Sequence, residues 1–370
     1  MIVPEIGLDG QLAIRAARVL VVGAGGLGAA AIAYLAGAGV GTLGIADDDT
    51  VATSNLHRQI VHSCATVGRP KAESAAAFAR ALNPRVRVRA HVVRVEPANV
   101  FDLVDEYDIV VDCVDAPQTR YLLSDAAVAA GRPVVAASAL RAEGQLLVLN
   151  HAGGPCYRCV VPVAPAAAAV AVCEDAGIVG PVVGAMGVLQ ATEALRLAAG
   201  LRDPAAPPTM LMYAALHRPM WREVRLRGRR PDCAACGAAP TITRAAIAAG
   251  AVDYVAFCGA PPPAPPPAAA VSPAEYAAAR AGPHTLVDVR ERVQFGLCAL
   301  PGAVNLPLAE LDRPEPLALA GPVYVVCRRG VDSRVAVPIL QRRLPGVAVV
   351  DVAGGLERWA RDVDPSFPRY

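Results

Sequence analysis

Uncharged apolar runs recur along the first half of the chain at Val19 to Gly23, Leu43 to Ala46, Ile109 to Asp112 and Val134 to Ala137. Continuous runs of this kind suit strands buried on both faces of a parallel sheet. Between them lie helical segments such as "KAESAAAFARAL", and the alternation predicts a doubly wound α/β domain. The stretch from Val19 to Ala46 carries no charged residue and is long enough to span a bilayer. It nevertheless holds eight glycines and divides into "RVLVVG", a glycine turn, a small-residue helix and "TLGIA" ending at Asp47, so it is read as β-α-β. A low-complexity segment, Val160 to Val172, contains two prolines and is expected to be a mobile loop. The proline-rich run "APPPAPPPAAAVSP", Ala260 to Pro273, is read as an extended, semi-rigid spacer. Beyond it "TLVDVR", "VYVVC" and "VAVVDV" alternate with a helix from Ser333, which predicts a second, small α/β domain. The expected organisation is a first domain over residues 1–255, a linker over 256–273 and a second domain over 274–370.

A length of 370 residues leaves room for two or three separate cores. The net charge of +2 provides no general polyanion-binding field, and the 54% hydrophobic content is inflated by alanine. The basic run Arg222 to Pro231 has almost no aromatic interleaving, so it is read as a solvated strand face and no nucleic-acid partner is expected. The opening "MIVPEIGLDGQ" shows no basic segment followed by an apolar one, so neither secretion nor a membrane is expected and the cytoplasm is the expected location. In a reducing compartment the ten cysteines point to metal binding or catalysis before disulfides.

"GAGGLG", Gly23 to Gly28, fits the phosphate-binding turn between a strand and a helix, with Asp47 at the usual ribose position. That pattern alone also fits an NAD-dependent oxidoreductase. The residues that follow favour a triphosphate: Arg58, Gln59 and Lys71 add cationic and polar groups beside the turn, and Asp115 is placed to hold magnesium. Lys71 is the only lysine, so 34 of the 35 basic residues are arginine. A compact ammonium suits a phosphate contact. Asp48 is read as a solvated loop charge.

Cys156 and Cys159 form one C-x-x-C, and Cys233 and Cys236 another. Two such pairs can close a four-thiolate zinc site with no open position, which makes the zinc structural. Cys173 lies at the end of the low-complexity segment, and a mobile thiol there is able to attack an activated acyl group, although Glu174 and Asp175 beside it disfavour the thiolate. Cys327 opens the loop "CRRGVDS" ahead of a helix. Successive backbone N–H groups, a helix N-terminus and Arg328, Arg329 and Arg334 favour a reactive sulfur. A phosphatase of the C-x5-R type needs arginine where this chain has Ser333. Cys113 is read as core, and Cys64, Cys258 and Cys298 have no chemical context.

"GAGGLG", "DDDTVATSNLHRQ", "VGRPKAESA", "DCVDAPQTRYLLSDA" and "GPCYRC", in this order, resemble the ThiF/MoeB-like adenylyltransferases that activate ubiquitin-like sulfur carriers. "LVDVRE", "LPGAVNLPL", "VVCRRGVDSR" and "VAGGLERWARDVDPSFPRY" resemble a rhodanese domain. Together they are similar to the fused adenylyltransferase/sulfurtransferases of molybdopterin synthesis and related sulfur transfer. The resemblance implies a Rossmann-like adenylation domain with structural zinc followed by a rhodanese domain. It implies ATP and magnesium bound by Gly26, Asp47, Ser54, Asn55, Leu56, His57, Arg58, Lys71 and Asp115, and zinc held by the four paired cysteines. A carrier ending in Gly-Gly would be adenylated, the Cys327 persulfide would attack the acyl-adenylate, and Cys173, matching a cysteine that links covalently to the carrier, would help resolve the acyl-disulfide. Sulfur would come from thiosulfate or a cysteine desulfurase, and the chain would act as a homodimer. The pattern departs from its relatives in three places: an N-terminal "RYxRQ"-like arm is not seen before Ile2, Ala116 stands where Asn is usual, and Ala299 where His is usual. A non-catalytic scaffold that binds a carrier is the other reading compatible with these departures.

Overall fold

The computed structural model describes residues 3–164, 177–259, 269–313, 315–317, 319 and 321–368. It divides into two compact units, Met1–Pro261 and Pro262–Tyr370. The predicted mobile loop from residue 165 onward, Cys173 with it, and residues 260–268 of the predicted spacer lie outside the described residues.

The first unit is built on strands β1 (Arg18–Val22), β2 (Thr42–Ala46), β3 (Arg87–His91), β4 (Ile109–Asp112), β5 (Val134–Leu140), β6 (Glu143–Leu149), β7 (Thr209–Ala214) and β8 (Trp221–Arg225). They form one sheet in the order β3-β2-β1-β4-β5-β6-β7-β8. β3 to β5 are parallel neighbours, and β5 to β8 continue the sheet antiparallel, an extension that the apolar runs alone did not reveal. Side chains of successive strand residues face opposite ways, and two cores result. Val19, Val21, Leu43, Ile45 and Val111 pack with Ile32, Leu35, Ala75 and Met186 on one face. Leu20, Val22, Val110 and Ala136 pack with Phe101, Tyr121 and Leu123 on the other. This is the doubly wound arrangement, with helices Gly26–Ala38, Lys71–Leu82 and Gly180–Ala198 against the first face and Pro117–Ala129 against the second. The strand β8 is exposed at every residue, as expected for a solvated strand. Among the described residues no helix is long and apolar enough to cross a membrane.

The register places Val22 opposite both Ala46 and Asp112. The glycine turn, Asp47 and the Cys113–Asp115 loop therefore emerge together at the carboxyl ends of β1, β2 and β4, where ligands of open α/β sheets bind. Asp115 lies three positions beyond the end of β4, and Cys113 one beyond it.

The second unit is a parallel sheet of β9 (Ala270–Val271), β10 (Thr285–Asp288), β11 (Val304–Asn305), β12 (Val323–Val326) and β13 (Val349–Val352), in the order β11-β10-β12-β13-β9. Helices Pro273–Ala279, Arg292–Leu297, Asp332–Arg343 and Gly355–Asp362 complete it. The stretch 256–273, read above as linker, is claimed by structure at both ends. Tyr254–Phe257 is helical and Cys258 packs in the first unit's core. Ala270–Val271 pairs with β13, and Ser272 and Glu275 form a capping box with Pro273 in the first helical turn. "SPAE" is itself a helix-start signature, which outweighs the proline-rich context before it.

Candidate functional sites

The glycine turn is held by its surroundings before any ligand arrives. Gly23 N–H donates to Ala46 O at 2.8 Å, and Ala24 N–H donates to the Asp47 carboxylate at 2.7 Å. A Cβ at Gly28 would sit 1.8 Å from Gly23 O, so only glycine lets the helix start this close to the turn. Gly26 opens that helix against Val183, and no side chain caps it. Its first N–H groups and the helix dipole suit a phosphate. Burial pushes the Asp47 carboxyl up, while the Ala24 N–H and the Lys71 ammonium pull it back.

Asp115 is exposed on a loop fixed from behind. Buried Asp112 accepts from Val114 N–H at 3.1 Å and pairs with Arg120 at 3.1 Å. Arg120 also donates to Val114 O at 2.7 Å and Ala137 O at 2.6 Å. Ala116 is the N-cap of Pro117–Ala129 and supplies no side-chain bond.

A 3-10 turn over Thr53–Asn55 continues into a turn through Leu56, His57 and Arg58, which brings Arg58 back on its own segment. Its guanidinium donates to Asn55 Oδ1 at 2.8 Å, lies 2.8 Å from His57 Nε2, and reaches Ser54 O at 3.4 Å. Asn55 is buried, Leu56 half-buried, and Ser54 and His57 exposed. Desolvation and the Arg58 charge hold the His57 imidazole below its usual range, and its Nε2 faces a guanidinium that can only donate. Lys71 is buried, and its Nζ donates to the Asp49 carboxylate at 2.8 Å. Its partner is thus an acidic residue that sequence reasoning passed over. Gln59, read above as a polar group beside the turn, is buried with Oε1 unpartnered, and His62, which the sequence did not single out, lies 2.9 Å from Ser74 Oγ and 3.0 Å from Ala24 O. No spacing rule links positions 24, 62 and 74; only the fold does.

The four paired cysteines meet. Sγ atoms of Cys156 and Cys159 are 3.8 Å apart, Cys156 and Cys233 3.5 Å, Cys159 and Cys236 3.4 Å, and all four lie within 4.8 Å of one another. Tetrahedral zinc with Zn–S of about 2.3 Å requires S···S separations of about 3.8 Å, so the donor set fits zinc. Burial and the neighbouring thiols push the Cys156 thiol far up. Burial also acts on Cys233, but N–H groups of Cys236 and Ala235 outweigh it and hold that thiol below its usual value. Four thiols crowded this way disfavour multiple thiolates unless a cation joins them. Between the first two cysteines, Arg158 is buried and contacts both oxygens of Asp125 through Nε, at 3.0 and 2.9 Å. Its guanidinium lies over Phe257 at 4.3 Å and Tyr121 at 5.0 Å. This ion pair fastens the Cys156–Cys159 turn to helix Pro117–Ala129, and it too was not legible beforehand.

In the second unit Cys327 lies one residue past β12 and is buried. Gly330 N–H points at its Sγ at 3.0 Å, and Ser333 Oγ lies 3.4 Å away. Leu356 N–H donates to Cys327 O at 2.9 Å and Glu357 N–H to Arg328 O at 3.0 Å, which fixes the loop to the start of the last helix. Gly355 has φ +60, and a Cβ there would meet Cys327 O at 2.3 Å. Arg334 donates to Gly330 O at 2.7 Å, bracing the loop, and Arg328 pairs with Glu357 at 3.2 Å. Asp351 on β13 is buried nearby. Cys64 is exposed, Cys113 and Cys258 buried, and Cys298 half-buried. Cys113 Sγ donates to Gln190 Oε1 at 3.3 Å, in keeping with a core role.

Residues 1–235 match the model of the ThiF family, and residues 272–362 that of the rhodanese-like domain. The adenylyltransferase and sulfurtransferase UBA4 of Yarrowia lipolytica is 49% identical over 374 residues, covering 100% of this chain and 94% of the relative. Its counterpart in Emericella nidulans is 46% identical, covering 100% of this chain and 85% of the relative. Among solved structures, Escherichia coli MccB superposes with a TM-score of 0.56 at 21% identity, over 63% of this chain and 68% of that one, a likeness of fold.

Proposed function

The chain belongs to the ThiF family and carries a rhodanese-like domain in the same polypeptide, and we propose that it is an adenylyltransferase and sulfurtransferase that converts the C-terminal glycine of a ubiquitin-like sulfur carrier into a thiocarboxylate. The observation that carries this reading is the end-to-end match, both domains in one order, to fungal proteins named for these two activities. An NAD-dependent oxidoreductase does not fit that match, and neither does a scaffold without chemistry.

In this reading the glycine turn, with Gly26 at the helix start, receives the phosphates of ATP. Asp47 exchanges its bond to Ala24 N–H for the ribose, and Arg58 and Lys71 leave Asn55 and Asp49 to neutralise phosphate charge. Ser54 to His57 form the turn from which Arg58 acts, and Asp115, on the loop braced by the Asp112–Arg120 pair, would hold a magnesium ion, which would supply positive charge to offset that of the phosphates. The carrier's carboxylate attacks the α-phosphorus and pyrophosphate leaves. Adenylation supplies a leaving group that a free carboxylate lacks. The terminal sulfur of a Cys327 persulfide then displaces AMP, and Cys173 helps resolve the acyl-disulfide. Zinc on Cys156, Cys159, Cys233 and Cys236 holds the turn that Arg158 anchors. Thiosulfate or a cysteine desulfurase supplies the sulfur, and the chain works as a homodimer in the cytoplasm.

The test is intact mass spectrometry of a Gly-Gly-terminated carrier incubated with the protein, ATP, magnesium and thiosulfate, with Cys327→Ala alongside. A thiocarboxylate mass that vanishes in the variant supports both half-reactions. AMP release without any sulfur gain in the carrier would reduce the proposal to adenylation alone.

A further inference from the structure

Cys327 Sγ has a second polar neighbour besides the loop amide. Ser333 is fully buried, and its Oγ lies 3.4 Å from the sulfur. Behind it, Asp351 is 1% exposed, with Oδ1 lacking any hydrogen-bond partner. Burial raises the Asp351 carboxyl above its usual range, while the Ser333 hydroxyl and the Arg334 guanidinium pull the other way. The edge strand β9 and the facing Val325 bring no titratable group to it. The charged residues around the sulfur loop are Arg328, paired with Glu357, together with Arg329, Asp332 and Arg334. A buried carboxylate and a buried sulfur anion on the two sides of one hydroxyl are costly, whereas one negative charge shared by the two is tolerated.

We infer that Asp351 is a positioning residue for sulfur loading: through Ser333 it accepts the proton that Cys327 gives up when its sulfur becomes a nucleophile. The inference rests on the reading of Cys327 as the persulfide carrier. With thiosulfate as donor, Cys327 Sγ bonds to the sulfane sulfur, the sulfur–sulfur bond of thiosulfate breaks, and sulfite leaves with its electron pair. The thiol proton passes to Ser333 Oγ as the Ser333 proton passes to the Asp351 carboxylate. The number of buried negative charges does not change during the step.

The experiment uses the full chain, thiosulfate, and rapid-quench mass detection of the added sulfur on Cys327 between pH 6 and 9. Asp351→Asn is expected to slow loading at pH 7 on the order of 10²-fold, with thiosulfate KM little changed, because general acid–base assistance is worth that much. Its rate should then climb about tenfold per pH unit as solvent takes over the proton, while the unsubstituted chain stays nearly flat. Ser333→Ala should behave alike, the double variant should be no slower than either single one, and Asp351→Glu should recover part of the rate. An equal loss at every pH in both variants, or none, overturns the inference while leaving the carrier role of Cys327 intact. If the unsubstituted chain gains no sulfur on Cys327 from thiosulfate or from a persulfide donor, the carrier reading falls and this inference with it.

Discussion

Replacing Arg158 by alanine should damage the first unit more than any surface change, and in a pH-dependent way. The substitution leaves Asp125, 1% exposed, with its counter-ion gone, and it removes a cation lying 4.3 Å from the Phe257 ring and 5.0 Å from Tyr121. Breaking one side of a buried pair costs about 3–5 kcal/mol, and the lost cation–π contacts about 1 kcal/mol more. For a unit of this size each kcal/mol moves the midpoint by about 2–4 °C, so a fall on the order of 10 °C is expected. Calorimetry of the full chain is the assay, because the second unit's transition, untouched by the change, serves as an internal standard. The sign of the pH effect follows from Asp125. Burial already pushes its carboxyl up against the pull of Arg158, and without Arg158 it rises further. A carboxyl whose folded value lies above its unfolded value of about 3.9 takes up a proton on folding, so stability is greatest below that unfolded value and is lost as pH rises through the folded one. The deficit of Arg158→Ala should therefore shrink between pH 8 and pH 5, by at most about 1.4 kcal/mol per unit. Adding Asp125→Asn, which cannot ionise, should abolish this pH dependence. A loss under about 1 kcal/mol at pH 8, or one that does not vary with pH, would refute the reasoning.

Metal analysis of the chain should find one zinc under the reading proposed for the four-cysteine cluster, and Cys233→Ser should lose it and lower the first transition while leaving the second in place, since the substitution removes one of the four sulfur donors. Gly28→Ala should abolish retention on an ATP matrix or prevent folding of the first unit, because its methyl would meet backbone at 1.8 Å rather than a movable side chain; near-normal ATP binding would show that the helix start can shift.

Much of this architecture was legible in advance because it is written in local spacing. The helix "KAESAAAFARAL" appears as Lys71–Leu82, the apolar runs became β1, β2, β4 and β5, and the two C-x-x-C pairs converge. The misses share a different cause. Asp49 as the partner of Lys71, Asp125 as that of Arg158, and the His62–Ser74 contact join residues whose separation follows no helical or strand period. The antiparallel strands β6 to β8 were obscure because burial falls off toward the edge of the sheet: β7 is half-buried throughout and β8 exposed throughout, so neither shows the continuous apolar run of a central parallel strand. The spacer was drawn too long because composition outvoted the capping box at Ser272.

The solitary lysine bears on more than phosphate. An acyl-adenylate reacts with any accessible amine, and an enzyme that generates one beside its own surface risks acylating itself. Here the only lysine is 5% exposed and is proposed to be engaged with phosphate once ATP is bound, and the other 34 of the 35 lysine and arginine side chains are guanidiniums, which stay protonated and are no nucleophiles. The activated carrier thus meets a surface offering no exposed lysine to form an isopeptide bond.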